Sequence, residues 1–220
     1  MPAPRTAAVL PVKRLASAKQ RLADALSPGL RRALAEAMVS DVLRALRDSS
    51  SVDEVVVVTG EPPVQALARL QGARVVDEPV EAGQSAAAAL GIAALDERVE
   101  RVLLVPADCP ALDPAEVDAL LDRPATAGDE VVVVPDRHGT GTNALLLAPP
   151  TAIRPAFGPG SRERHERLAA QAGVACEMRE PGTLLLDVDT GEDLDALRAA
   201  LAAGQGRAGH TRGVLGRLGR

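Results

Sequence analysis

Tryptophan and tyrosine are absent from this 220-residue chain, and phenylalanine occurs once, as Phe157. Proteins that grip single-stranded nucleic acid stack bases on aromatic rings, and this chain has no such platform. It also lacks the charge: 25 Lys and Arg against 30 Asp and Glu leave a net −5, so no basic field invites nucleic acid. No apolar run reaches the length needed to span a bilayer. The opening Met-Pro-Ala-Pro-Arg leads straight into a strand pattern, without the h-region or cleavage site of a secretion signal. Cysteine is scarce too, and Cys109 and Cys176 make neither a disulfide framework nor a zinc spacing. The expectation is a cytoplasmic protein in a reducing compartment, with neither nucleic acid nor membrane as partner.

What remains is aliphatic. A core must be built from Val, Leu, Ile and Ala, and the length suffices for one sizeable α/β domain. Strand patterns at 7–12, 54–59, near Val75, 101–106, 131–134, 143–148 and 184–188 alternate with helical ones. Helices are expected from Pro28, behind the cap Ser27, to about Asp48, and from about Gln84 to Leu95. Others are expected after the capping pattern Asp113-Pro114-Ala115-Glu116, from Ser161 to Ala172, and after Thr190-Gly191-Glu192-Asp193 to about Ala203. Such alternation predicts an open, mostly parallel sheet with helices on both faces, in a single domain over 1–203. Residues 204–220 are rich in Gly and Arg with no acidic residue, and read as a disordered tail.

In open α/β sheets ligands bind beyond the carboxyl ends of the strands. After the first strand comes a loop with Lys13, Arg14, Lys19 and Arg21, a cluster suited to a triphosphate because Arg forks two oxygens and Lys adds a point charge. It is neither a Walker A loop nor a dinucleotide turn. Asp108 closes the run V-L-L-V-P-A-D, where it reads as either a metal ligand or a turn residue. Asp187 and Asp189, two apart on an extended segment, project to one side, and like charges so placed repel unless a cation lies between them. Hard oxygen ligands suit Mg²⁺. A cap by Thr190 would leave Asp189 free for that task. A glycine-rich stretch from Asp136 to Asn143, and Gly158 and Gly160 before the Ser161 helix, could seat a second phosphate or a carboxylate. Cys109 reads as a small buried filler.

Five segments carry a resemblance: L-P-V-K-R-L-A-S-A-K-Q-R-L, P-A-D-C-P-A-L, P-D-R-H-G-T-G-T-N-A-L, F-G-P-G-S-R-E-R-H and L-D-V-D-T-G-E-D-L. In this order they resemble the guanylyltransferases that make the phosphoanhydride precursor of the deazaflavin coenzyme F-420. The resemblance implies a glycosyltransferase-A-like nucleotidyltransferase fold, GTP and Mg²⁺ as requirements, and phosphoenolpyruvate or 2-phospho-L-lactate as acceptor. It implies metal ligation by Asp108, Asp187 and Asp189, catalytic roles for Lys13, Lys19 and Asp108, and acceptor contacts from Thr142, Gly158 and Ser161. Nucleotide contacts fall to Lys13, Arg14, Lys19 and Arg21. Where many relatives read L-N-x-A, this chain reads Gly83-Gln84-Ser85-Ala86, so the corresponding contact is missing or supplied by Ser85. His138 and His165 are expected as hydrogen-bonding neighbours, because transfer to an already ionised phosphate needs no general base. Rival readings are a nucleotide-sugar glycosyltransferase, a molybdopterin-type guanylyltransferase of the same fold, and a non-catalytic GTP-binding module. A homo-oligomer and a contact with the next transferase of the pathway are both compatible with this reading.

Overall fold

A computed structural model describes residues 5–15, 19–122 and 130–217. Ala16, Ser17 and Ala18 of the basic loop, and the first four residues, lie outside the described residues. The strands are β1 (Thr6–Pro11), β2 (Glu54–Thr59), β3 (Arg74–Asp77), β4 (Arg101–Leu104), β5 (Glu130–Pro135), β6 (Thr142–Ala148) and β7 (Ala175–Met178). The helices are α1 (Pro28–Asp48), α2 (Pro62–Leu70), α3 (Gln84–Ala93), α4 (Pro114–Leu121), α5 (Ser161–Ala172), α6 (Gly191–Ala202) and α7 (Gly209–Leu215). The strands form one sheet in the order β3-β2-β1-β4-β6-β5-β7. It is parallel except around β6, which pairs antiparallel with both β4 and β5. A mostly parallel sheet between helices is the architecture expected.

Alternation along each strand divides the aliphatic core in two. Ala8, Leu10, Val55, Val57, Leu103, Val132, Val134 and Leu146 face the layer of α1, α4 and α6. Val9, Val56, Val58, Val102, Leu104, Val131, Val133 and Leu145 face the layer of α3 and α5. Runs such as E-V-V-V-V-T are continuous because both faces are covered and neither can be polar. On the α3 side the helix comes close enough that a Cβ on Gly91 would overlap the side chains of Val9 and Val58.

Two expectations fail, each for a non-local reason. Residues 184–188 are not a strand: Gly182–Leu185 form a 3-10 turn, and Leu186 to Val188 run on without a ladder. The sheet edge beside β5 is taken by β7, a short strand with exposed and half-buried residues whose sequence showed no clear alternation. The tail beyond 203 is ordered through α7, which packs on α1. The Asp41 carboxylate on α1 accepts from the backbone N–H groups of His210 (3.0 Å) and Thr211 (2.8 Å), capping α7 from far away in sequence. Gly206, in the left-handed region at φ 66°, lies so close to the backbone of Ala111 that a side chain there would overlap it. Composition alone, which suggested disorder, cannot see a cap supplied by another helix.

Gly91→Ala should destabilise the fold by about 1–3 kcal/mol, the usual cost of overpacking a dense core. Gly29→Ala, where nothing lies within 4 Å of the added methyl, should be neutral or slightly stabilising. Denaturant midpoints of both variants check the contrast.

Candidate active site

The cleft lies at the carboxyl ends of β1 and β4, where an open parallel sheet places its ligands. One lobe is lined by Val12, Lys13, Leu15, Lys19, Met38, Glu78, Gly83 and Gln84, and the other by Asp136, Thr142, Asn143, Gly158, Ser161 and Asp187. Gln84, Pro106, Asp108 and Asp189 line both, so the lobes meet at these residues.

At that junction the Lys19 ammonium donates to Asp108 Oδ2 at 2.7 Å and to Asp189 Oδ1 at 3.0 Å. Its side chain is 8% exposed. Burial by itself would depress this ammonium, but the two carboxylates outweigh it and hold the pKa well above the ordinary lysine value. Lys19 also sits in the left-handed region at φ 55°, which is costly for a residue with a Cβ and persists only where surroundings impose it.

The backbone brings the aspartates together. Val188 N–H donates to the Asp108 carbonyl at 3.0 Å, and Asp113 N–H donates to Thr183 Oγ1 at 3.0 Å. Glu116, read in the sequence as half of a capping box, instead accepts from Thr183 N–H (2.8 Å) and Thr183 Oγ1 (2.6 Å), while Asp113 alone caps α4. Asn143 Nδ2 bridges the Leu184 carbonyl (2.8 Å) and Asp187 Oδ1 (3.0 Å). Burial, with Asp108 and Asp189 close by, pushes the Asp187 carboxyl above its ordinary value, against the opposing Asn143 bond. Thr190 caps α6 in a reciprocal box with Asp193, leaving Asp189 free to face Lys19 as the sequence suggested. Among the described residues no three metal-ligating side chains stand closed around a common point. The cation between Asp108 and Asp189 is the ammonium of Lys19. The donor set is all oxygen, as a hard divalent ion requires.

In the second lobe the chain shifts register between Val134 and Pro135, which turns Asp136 into the loop before β6. Asp136 Oδ1 accepts from Thr140 N–H at 2.9 Å, and a Cβ on Gly141 would press on Asp136 Oδ2 at 2.5 Å. The glycine loop expected to cradle a ligand's anion thus holds a carboxylate of its own. At the start of α5, Ser161 N–H and Arg162 N–H are likewise engaged, by the carbonyls of Gly158 and Thr140. Ser161 is fully buried, and its hydroxyl donates to Thr142 Oγ1 at 3.0 Å. Thr142 Oγ1 also lies 3.1 Å from His165 Nδ1.

Of the residues singled out in the sequence, Lys13, Lys19, Asp108, Thr142, Gly158, Ser161, Asp187 and Asp189 line the cleft. Arg14 and Arg21 are exposed and are not among its lining residues, and Ser85 gives place to Gln84 one position earlier. Glu78 was not singled out, and Asp136 and Asn143 entered only as the ends of the glycine-rich stretch. Their signal was weak, since each becomes a site residue only through its neighbours in space. Cys109 is fully buried, its thiol pushed far up by burial, which fits a packing role.

A single sheet between two helical layers, with acidic side chains beyond β4 and a cationic loop beyond β1, shares its fold with solved nucleotidyltransferases. The chain has a TM-score of 0.65, at 20% identity, to a nucleotidyl transferase from Methanothermobacter thermautotroptrophicus, covering 91% of this chain and 99% of that one. Residues 6–218 match the family described as guanylyl transferase CofC like, and the chain belongs to that family. It is 52% identical to a phosphoenolpyruvate guanylyltransferase from Conexibacter woesei, over 97% of this chain and 96% of the relative. It is also 40% identical to a 3-phospho-D-glycerate guanylyltransferase from Phenylobacterium zucineum, over 84% and 86%.

Burial lowers the His165 pKa to about 4 from the ordinary 6.5, with Arg164 adding to the effect. The unfolded chain therefore binds a proton before the folded one does, and stability contributed by neutral His165 is lost as pH falls from 6.5 toward 4. Between pH 6.5 and ~5 the loss should reach about 2 kcal/mol. His165→Gln, lacking the titrating ring, should lose correspondingly less over the same interval. Denaturant unfolding of both proteins at the two pH values measures the difference, and parallel losses would rule the account out.

Proposed function

We propose that this guanylyltransferase moves GMP from GTP to the phosphate of phosphoenolpyruvate, releasing pyrophosphate, as a step toward the deazaflavin coenzyme F-420. The observation that carries the reading is the pairing of Asp108 and Asp189 with Lys19 where the two lobes of the cleft meet, with Asp187 lining the second lobe beside them. The relative from Conexibacter, by its name, uses phosphoenolpyruvate, and the identity over nearly the whole chain favours the same acceptor here.

In this reading the triphosphate lies along Lys13 and Lys19, with Arg14 and Arg21 adding positive potential at the edge of the loop. The acceptor occupies the lobe of Thr142, Gly158 and Ser161. An acceptor phosphate oxygen attacks the α-phosphorus of GTP, the bond to the β-phosphate oxygen breaks, and pyrophosphate leaves with the electron pair. The acceptor phosphate is already ionised, so no general base is needed, and the protein's contribution is position and charge. Asp108, Asp187 and Asp189 would hold Mg²⁺, which when bound screens the phosphate oxygens and draws charge from the reacting phosphorus. The acceptor lobe has a strong need for such a cation, because Asp108, Asp136, Asp187 and Asp189 all line it. An anion entering among four carboxylates meets repulsion that one ammonium does not offset.

The primary test is pyrophosphate release from each NTP in the presence of Mg²⁺, with phosphoenolpyruvate, 2-phospho-L-lactate and 3-phosphoglycerate offered in turn. GTP with phosphoenolpyruvate should give the highest kcat/KM, and preference for another acceptor would reassign the second lobe. Asp187→Asn and Asp189→Asn should each lower turnover by about two orders of magnitude or more while leaving the metal-free Tm within a few degrees. Near-normal turnover in both would remove the carboxylates from the reaction.

Lys19→Ala should raise the KM for GTP at least about tenfold, the scale of a lost charge-assisted bond, with a much smaller effect on the acceptor's KM. An effect confined to the acceptor would exchange the two lobes.

A further inference from the structure

The hydroxyls of Thr142 and Ser161 pair with each other beside a buried histidine, and the direction of their protons decides what the acceptor lobe offers to an anion. His165 is fully buried on α5, one turn after Ser161. The backbone N–H of Ala156 donates to its Nε2 at 2.9 Å. A peptide N–H has no choice of role, so Nε2 must carry the lone pair, and in a neutral imidazole the proton is then on Nδ1. Phe157 packs edge to face on the ring, with centroids 5.3 Å apart at 76°, and blocks the rotation that would exchange the two nitrogens.

Nδ1–H therefore donates to Thr142 Oγ1, 3.1 Å away. Thr142 and Ser161 together own two hydroxyl protons, and the 3.0 Å bond between them uses one, whichever way it runs. Nδ1 brings its own proton and consumes none. One hydroxyl proton is left for a ligand, and because Ser161 is fully buried while Thr142 is partly exposed, Thr142 presents it. With the opposite tautomer Nδ1 would accept the Thr142 proton and Ser161 would donate to Thr142. The pair would then show only lone pairs to a lobe already lined by Asp108, Asp136, Asp187 and Asp189.

We propose that His165 is a positioning residue whose fixed tautomer makes the Thr142–Ser161 pair a hydrogen-bond donor toward the anionic group of the acceptor. This inference rests on the acceptor lobe as assigned above. It also makes Ser161 act through Thr142, since in this arrangement its own proton is committed to Thr142 Oγ1.

Two measurements test it. Nitrogen NMR of the full chain carrying ¹⁵N-labelled histidine reads the tautomer directly, with the His165 signals identified by their loss in a His165 variant. A neutral ring protonated on Nδ1 at neutral pH is expected, and a proton on Nε2 overturns the proposal without any variant needing to be active. The second is a double-mutant cycle read on the acceptor's KM. His165→Gln can keep an acceptor for Ala156 in its Oε1 but sets no donor at the place of Nδ1, and Thr142→Val removes the hydroxyl. Each should raise the acceptor's KM about tenfold, with kcat and the KM for GTP changed far less. The double variant should be no worse than Thr142→Val alone, because the histidine acts only through that hydroxyl. His165→Asn, whose amide N–H can reach the place of Nδ1, should recover part of what His165→Gln loses. Effects that multiply to about a hundredfold would mean that His165 merely supports the fold. If Thr142→Val alone left the acceptor's KM unchanged, the assignment of the lobe would fall and take the inference with it.

Discussion

A single ammonium, Lys19, holds two carboxylates from distant parts of the chain, and the site takes its shape around that contact. Lys19 follows the first strand, Asp108 follows the fourth, and Asp189 immediately precedes α6. Two carboxylates in a partly buried cleft cannot stay ionised close together without a counter-charge. The contact therefore accounts for a lysine that tolerates a left-handed backbone there. It also sets the electrostatic problem that the substrates meet. In the proposed reaction a triphosphate and a phosphorylated acid would enter a cleft whose fixed charge is mostly negative, and accompanying cations would offset the repulsion.

The supports around the contact are mostly backbone and neutral. Asn143 and the Thr183–Glu116 link fix the turn that carries Asp187, and the carbonyl of Asp108 is tied to Val188 N–H. These bonds lock the carboxylates to the sheet through β6 and α4, so their separation does not rely on Lys19 alone. α7 adds a further prop, with Gly206 packed on Ala111 in the same loop as Asp108. A segment that read as disordered by composition thereby packs on the loop that carries Asp108. In the second lobe the N–H groups of Gly139, Thr140, Ser161 and Arg162 are already engaged, which adds weight to the Thr142–Ser161 hydroxyls as donors toward a ligand.

Much of this was legible in the sequence. The continuous apolar strands, the caps Ser27 and Thr190 and the limits of α1, β2 and α5 follow from local rules, because periodicity and capping act over a few residues. The carboxylates, the basic loop and the resemblance carried by five ordered segments named the family, since residue types at strand ends are visible without coordinates. Residue choice alone also set the composition from which the sequence argument began, one phenylalanine among the aromatics and a net charge of −5.

Tertiary structure decided the rest, for reasons that lie outside any local window. Whether 184–188 pairs as a strand depended on β7 reaching the edge of β5 first. Whether the last residues fold depended on Asp41, 169 residues before His210. Which of Gln84 and Ser85 faces the cleft depended on the rotation of α3 over Val9. That Asp136 fills its own glycine loop, and that His165 points a proton at Thr142, followed from bonds between side chains and backbone brought together only by folding. Amino-acid types set which charges and hydroxyls were available. The direction of each hydrogen bond, and so the sign of the field a ligand meets, was set by which groups the fold placed within about 3 Å of one another.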